Sequence, residues 1–215
     1  MSHTRIKFCG LTRPGDVRLA VEVGVDAIGF IFVPQSPRRL DMDQLDGLRL
    51  AVPLLVDVVA LFMDASGSRV ADVVRALQPT ILQFHGSEND SFCRGFGLPF
   101  IKTLAMGEGA EDPLSARKRY PSASAFLLDG HGPGQMGGRG ESFDWGRIPP
   151  LARPVFLAGG LTPSTVGQAI RAARPYAVDV SSGIESAPGL KDGVKMQQFV
   201  EEARRADSSS FDNGD

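Results

Sequence analysis

Eight short apolar runs recur through this chain, each giving way to small or polar residues, with stretches of helical periodicity between them. The runs lie at residues 6–9, 27–33, 56–63, 80–84, 99–103, 125–129, 155–158 and 177–180. Residues 17–23 follow the first run with Val17, Leu19, Val21 and Val23, and Gly24 closes that helix. Between the third and fourth runs, Val70, Val73, Val74 and Leu77 share one face of a helix over 66–77. Further helices are expected at 43–50, from an acidic first turn at 87–90, and at 112–120, 163–173 and 193–205. Strands alternating with helices make a parallel sheet, because a parallel pair needs a long crossover that a helix supplies. The run Ala27-Ile-Gly-Phe-Ile-Phe-Val33 is almost continuously apolar, as a strand covered on both faces must be.

Eight such units in 215 residues fit a single-domain (β/α)8 TIM barrel near the short end of its size range. The alternative is an open doubly wound sheet, whose first turn carries a Gly-x-Gly-x-x-Gly fingerprint. Here the first run ends in Cys9-Gly-Leu-Thr, and the barrel is the better reading. One domain is expected over residues 1–206, followed by a polar, non-periodic and disordered tail over 207–215.

Hydrophobic residues make up 42% and charged residues 22% of the chain, as in an ordinary globular protein. A formal net charge of −2 supplies no footprint for nucleic acid and no polybasic patch for a membrane surface. No apolar run approaches the roughly 18 residues of a membrane span, and the N-terminus lacks the apolar core of a secretory signal. A cytoplasmic location is expected, with Cys9 and Cys93 reduced.

The carboxyl ends of barrel strands open on one face, so polar residues there converge however far apart they stand in sequence. Two consecutive strands, the seventh and eighth, end in Gly159-Gly160 and Ser181-Ser182-Gly183. Glycine lets a backbone approach an anion closely, and hydroxyl and backbone N–H groups donate to its oxygens, so these loops read as a phosphate site. Thr162-Pro163 has the form of a helix start beside it. The other strand ends contribute Cys9, Arg38 with Arg39, Asp64, Gln83 with His85, Lys102, Asp129 and Asp179. That is acid, base and anion-binding chemistry. A thiol and a carboxyl group across a barrel mouth suit general base and general acid, given a neighbouring cationic arginine and a helix N-terminus for Cys9 and desolvation for Asp129. Each also has a plainer reading, Cys9 as a small buried hydrophobe and Asp129 as a turn residue before Gly130. No metal set is evident, since His85 is the one histidine at a strand end and His131 falls in the glycine-rich stretch 130–140, a candidate lid with six glycines in eleven residues.

The segments Ile6-Lys-Phe-Cys-Gly-Leu-Thr12, Asp26-Ala-Ile-Gly-Phe-Ile-Phe32 with Ser36-Pro-Arg-Arg39, and Leu82-Gln-Phe-His-Gly-Ser-Glu88 resemble the phosphoribosylanthranilate isomerase family of tryptophan biosynthesis. So do Leu127-Leu-Asp129, Gly137-Gly-Arg-Gly140, Phe143-Asp-Trp145, Leu157-Ala-Gly-Gly-Leu161 and Val178-Asp-Val-Ser-Ser-Gly-Ile-Glu185, in order along the chain. The resemblance implies a cofactor-free Amadori rearrangement of N-(5-phosphoribosyl)anthranilate to the 1-(carboxyphenylamino)-1-deoxyribulose phosphate. It implies Asp129 as general acid on the furanose oxygen, Cys9 as general base on the C2 proton, and Arg38 on the anthranilate carboxylate. Gly160, Ser182 and Gly183 fall in its phosphate-binding loops, while Gln83, His85 and Asp179 match polar positions of its site. Arg39 stands where the family often has an aromatic residue, which leaves two arginines for one carboxylate.

Two other readings stand beside it. A different phosphosugar barrel would be an epimerase, which needs metal ligands not evident here, or a Schiff-base lyase, which would use Lys7 or Lys102; a non-catalytic binder of a phosphorylated small molecule would keep its affinity without Cys9. A monomer or a homodimer is compatible with the sequence.

Overall fold

The computed structural model describes residues 3–110, 112–132, 134, 135, 137 and 142–209. Eight strands close into one parallel barrel: β1 (Arg5–Cys9), β2 (Ala27–Ile31), β3 (Asp57–Phe62), β4 (Ile81–Phe84), β5 (Phe100–Ala105), β6 (Ala125–Asp129), β7 (Val155–Leu157) and β8 (Ala177–Val180). Each strand pairs with its successor, and β8 returns to β1 with Lys7 opposite Asp179. Outside lie α1 (Pro14–Glu22), α2 (Leu45–Leu50), α3 (Gly67–Leu77), α4 (Asp90–Arg94), α5 (Pro113–Arg119), α6 (Val166–Ala173) and α7 (Gly193–Ser209). Between β6 and β7 the only helical element among the described residues is a 3-10 turn, Trp145–Arg147.

Alternation along the strands sorts side chains between two compartments. In β1, Ile6 and Phe8 belong to the layer between barrel and helices, where Phe8 meets Phe199 of α7 edge to face at 5.8 Å. Burial of each such ring stabilises the fold by about 1.5–3 kcal/mol. Lys7 and Cys9 take the opposite face, toward the barrel interior, whose floor is packed by Ile101, Ala125, Leu127, Phe156 and Ala177. The lysine is fully buried all the same.

Four differences from the sequence reading have local causes. The second strand ends at Ile31, because the chain turns to set Leu40 N–H on the Ile31 carbonyl, yet Phe32 and Val33 stay buried. Thr162 does not cap α6: its own N–H is taken by the Thr165 hydroxyl and its carbonyl accepts from Thr165 and Val166, so a tight turn precedes a helix that begins at Val166. The terminal helix runs to Ser209 because Asp207 is tied to the start of the barrel, accepting from Thr4 N at 2.9 Å and Thr4 Oγ1 at 2.6 Å. Positions 207–209 are therefore helix and not tail, and 210–215 lie outside the described residues. An unforeseen hairpin, β9 (Glu185–Ala187) and β10 (Leu190–Lys191), follows β8 around Gly189 at φ +80°.

Candidate active site

Eleven of the residues singled out for the site line one open cleft at the carboxyl end of the barrel: Cys9, Arg38, Gln83, His85, Asp129, Gly159, Gly160, Asp179, Ser181, Ser182 and Gly183; Asp64 and Lys102 line a neighbouring hollow beside His85 and His131 instead. Barrel closure is what gathers them. Arg39 is not among them; its side chain is 46% exposed and pairs with Asp41 at 3.2 Å.

Cys9 ends β1 opposite Gly29 of β2. A Cβ at Gly29 would stand 2.8 Å from Cys9 Sγ and 3.1 Å from Lys7 Nζ, so the bare glycine provides the space in which thiol and ammonium meet. Burial pushes the Cys9 thiol above its ordinary pKa, and the Lys7 charge opposes that rise. For Lys7, burial pulls downward, but Asp179 at 2.7 Å and Cys9 outweigh it and hold the ammonium above its usual value. The cation expected beside the thiol is thus Lys7 and not an arginine, because the strand period of two sets residues 7 and 9 on one face. The spacing was readable in the sequence. Its partner Asp179, far off in the chain, was not.

Both candidate Schiff-base lysines are engaged as ion pairs. Lys7 holds Asp179, and Lys102 holds Glu88 at 3.0 Å and also donates to the Gly86 carbonyl. A charged, paired ammonium is a poor nucleophile, which disfavours the lyase reading.

Arg38 is gripped from behind. Its Nε and Nη2 donate to the two oxygens of Glu185 at 2.7 and 2.8 Å, a fork-to-fork pair with both side chains buried. Glu185 also accepts from Lys191 at 2.8 Å, and Lys191 donates to the Ser181 carbonyl at 3.0 Å. Burial would raise the Glu185 carboxyl, but Arg38 and Lys191 hold it below its ordinary value. Two cations around one carboxylate leave a net positive charge beside the cleft. The hairpin β9–β10 supplies both Glu185 and Lys191, and no apolar pattern announced it.

Gly159 and Gly160 take φ of +81° and +66°, consecutive left-handed residues that a side chain would strain. Gly183 packs its α-carbon against the Leu161 carbonyl, so the loops after β7 and β8 touch and form one cradle. Ser182–Ile184 is a single 3-10 turn, so the donors there are serine hydroxyls and backbone N–H groups rather than a long helix end.

Across the cleft Asp129 ends β6, with Gly137 against its Oδ2. His85 has both ring nitrogens out of solvent without hydrogen-bond partners among the described residues; burial, then the neighbouring His131, Lys102 and Lys7, draw its pKa down to about 3. Gln83 Nε2 reaches Thr103 Oγ1 at 3.3 Å. His131 is not adrift in a loop: it is 3% exposed, stacks on His85 at 4.6 Å, and its carbonyl is held by Gly107 N–H at 3.0 Å. Gly107 permits this by lacking a Cβ, which would stand 2.8 Å from the Gly130 carbonyl. The expectation that no ligand set is present is corrected by this contact, since His85, Asp129 and His131 bring one ligand atom each within 4.8 Å of one another. Positions 133, 136 and 138–140 of the candidate lid lie outside the described residues. Cys9 and Cys93 are free thiols, and burial pushes Cys93 up to about 12. Among the described residues no helix is long and apolar enough to cross a membrane.

The family model for N-(5'phosphoribosyl)anthranilate (PRA) isomerase matches residues 6–202. N-(5'-phosphoribosyl)anthranilate isomerase of Stenotrophomonas maltophilia is 56% identical over 207 residues, covering 95% of each chain. Among solved structures, phosphoribosyl anthranilate isomerase from Thermotoga maritima superposes with a TM-score of 0.84 at 35% identity, covering 94% of this chain and 99% of its own. A phosphoribosyl anthranilate isomerase in complex with reduced 1-(o-carboxyphenylamino)-1-deoxyribulose 5-phosphate superposes at 0.79 with 31% identity and the same coverage. Monomers of the dimeric Thermotoga maritima enzyme superpose at 0.77 with 30% identity, again over 94% of this chain and 99% of theirs. With the barrel, the cleft and these relatives in agreement, the chain belongs to the N-(5'-phosphoribosyl)anthranilate isomerase family.

Proposed function

We propose that this protein is the isomerase of tryptophan biosynthesis that converts N-(5-phosphoribosyl)anthranilate into its 1-deoxyribulose phosphate isomer, with Cys9 and Asp129 as its proton-transfer pair. The observation that carries the assignment is one cleft holding a thiol and a carboxyl group between a glycine-serine cradle and a buried arginine. The substrate has a phosphate at one end and a carboxylate at the other. Phosphate on the N–H groups around Gly159, Gly160 and Ser181–Gly183 and carboxylate on the remaining Nη1 of Arg38 would stretch the sugar across the mouth.

In this reading Asp129 protonates the furanose oxygen, C1–O4 breaks, and the nitrogen lone pair forms the Schiff base. Cys9 as thiolate then removes the C2 proton, the electrons reach nitrogen, and the enolamine tautomerises to the ketone. Lys7 opposes the rise that burial imposes on the Cys9 thiol, and a base of high pKa, once ionised, is strong. Gln83, His85 and Asp179 line the space around the sugar and are assigned to substrate binding. The protein is taken to act in the cytoplasm as a monomer or homodimer, which light scattering on the purified chain decides.

The test is turnover of substrate generated in situ, followed by loss of its fluorescence, in wild type, Cys9→Ser and Asp129→Asn, with binding of a reduced product analogue measured in parallel. Loss of most of the rate in both variants with analogue binding retained supports the assignment. Binding without turnover in wild type would make the protein a binder.

A further inference from the structure

Three of the buried side-chain nitrogens without hydrogen-bond partners among the described residues lie together: Nδ1 and Nε2 of His85 and Nε2 of His131. Buried polar atoms are rarely left so, and a cluster of them calls for a ligand. Beside them stands the Asp129 carboxylate, with Oδ2 3.8 Å from His131 Nε2.

We infer that His85, Asp129 and His131 form a binding site for a borderline divalent transition ion of the zinc, cobalt or nickel type, occupied reversibly and apart from any requirement for turnover. Two imidazoles and a carboxylate with an open side are a donor set that favours such ions over magnesium or calcium. His131 is already arranged as a ligand: its Nδ1 faces the Gly132 carbonyl at 2.8 Å, a contact that fixes the proton there and leaves the Nε2 lone pair toward Asp129. The His85 ring is stacked on that of His131 at 4.6 Å.

Geometry sets what binding requires. Ligands about 2.0–2.1 Å from a tetrahedral ion stand about 3.3 Å from one another. The present spread of up to 4.8 Å must close by about 1.5 Å along its longest edge, a small rotation of side chains at a strand end and a loop. Gly137 lies against Asp129 and His85 and would have to yield, so binding is expected to displace that part of the 130–140 segment. A bound ion would take up the Asp129 carboxylate. If Asp129 is the proton donor, the ion is an inhibitor, and that consequence rests on the functional reading above.

The experiment is a titration of untagged, chelator-stripped protein with Co2+, read by its visible d–d absorption, and with Zn2+ by calorimetry. Wild type, His85→Asn, His131→Gln, His131→Phe and Cys9→Ser are compared after thermal melts confirm folding. The expected result is one ion per chain, affinity at least tenfold weaker in each histidine variant, an unchanged affinity in Cys9→Ser, and no sulfur-to-cobalt charge-transfer band. Absence of binding in wild type overturns the site, as does an affinity indifferent to both His85→Asn and His131→Gln. Turnover is measured separately in chelator and with added Zn2+. Failure of turnover in chelator would sink the isomerase assignment while the titration still decides the metal site; inhibition by Zn2+ that chelator reverses and His131→Gln abolishes supports both.

Discussion

Lys7 Nζ donates to Asp179 Oδ1 at 2.7 Å inside the barrel, and the same ammonium faces the Cys9 thiol two residues along β1. The lysine is thus shared between a carboxylate that keeps it charged and a thiol that its charge acidifies. Burial disfavours the thiolate, so the folded Cys9 pKa lies above the ordinary thiol value; the cation lowers it, and removing the cation must raise it further.

Lys7→Met is therefore expected to move the acid limb of the kcat/KM pH profile to higher pH. Each unit of that movement costs about tenfold in rate at neutral pH. The variant also strands Asp179, with a loss of about 3–5 kcal/mol in stability, which Asp179→Asn in the same chain should largely restore; because the Asp179 charge itself pushes the thiol up, that second change should move the limb only part of the way back. A profile unmoved by Lys7→Met would leave Lys7 a structural ion-pair partner only. Iodoacetamide labelling of Cys9 against pH gives the same answer without substrate.

Gly29→Ala introduces a Cβ 2.8 Å from Cys9 Sγ, a contact that cannot stand. The thiol must shift by a few tenths of an ångström or more. Since displacements near 1 Å cost about 100-fold in a positioned reaction, kcat should fall by about 10- to 100-fold while analogue binding changes little. A wild-type kcat would mean that Cys9 is not the group that moves the proton.

Arg38 and Arg39 separate cleanly. Arg39→Ala removes a half-exposed side chain paired with exposed Asp41, and KM should stay within about twofold and stability within about 0.5 kcal/mol. Arg38→Lys breaks a buried bidentate pair with Glu185 and should raise KM about tenfold or more, at a stability cost of about 1.5–3 kcal/mol. Steady-state kinetics of both variants, with urea midpoints, tests the assignment, and a reversed pattern moves the carboxylate to Arg39.

Gly183→Ala sets a Cβ into the Leu161 carbonyl, and backbone cannot step aside as a flexible side chain can. The loops after β7 and β8 must part. Affinity for inorganic phosphate and for the reduced product analogue should drop by about tenfold or more in calorimetry, with the barrel still folded by circular dichroism. Unaltered phosphate affinity would place the anion elsewhere.

Asp207→Ala deletes the carboxylate that accepts from both the N–H and the hydroxyl of Thr4, joining α7 to the first strand. A loss of about 1–3 kcal/mol is expected in the urea midpoint, with kcat and KM unchanged at 25 °C because the contact lies at the opposite end of β1 from Cys9. Equal midpoints would return residue 207 to a dispensable tail.

The sequence by itself determined the eight-strand count, the parallel order and most of the polar residues that line the cleft. Those follow from short-range facts: apolar runs of strand length such as 27–33, helical periodicity such as that of α3, and the rule that barrel strand ends share one face. It also contained the Lys7–Cys9 spacing, since the alternation of a strand is a local property. Only the tertiary structure decided partners. Lys7 meets Asp179, Arg38 meets Glu185, Gly183 meets Leu161 and His131 meets His85 across separations that no local pattern encodes. Each meeting depends on how the ring of strands closes and on where a missing side chain, at Gly29 or Gly107, lets another group come close. Propensity and periodicity act within a few residues, whereas charge pairing, burial and close approach act through space, and the arrangement of the site belongs to the second kind.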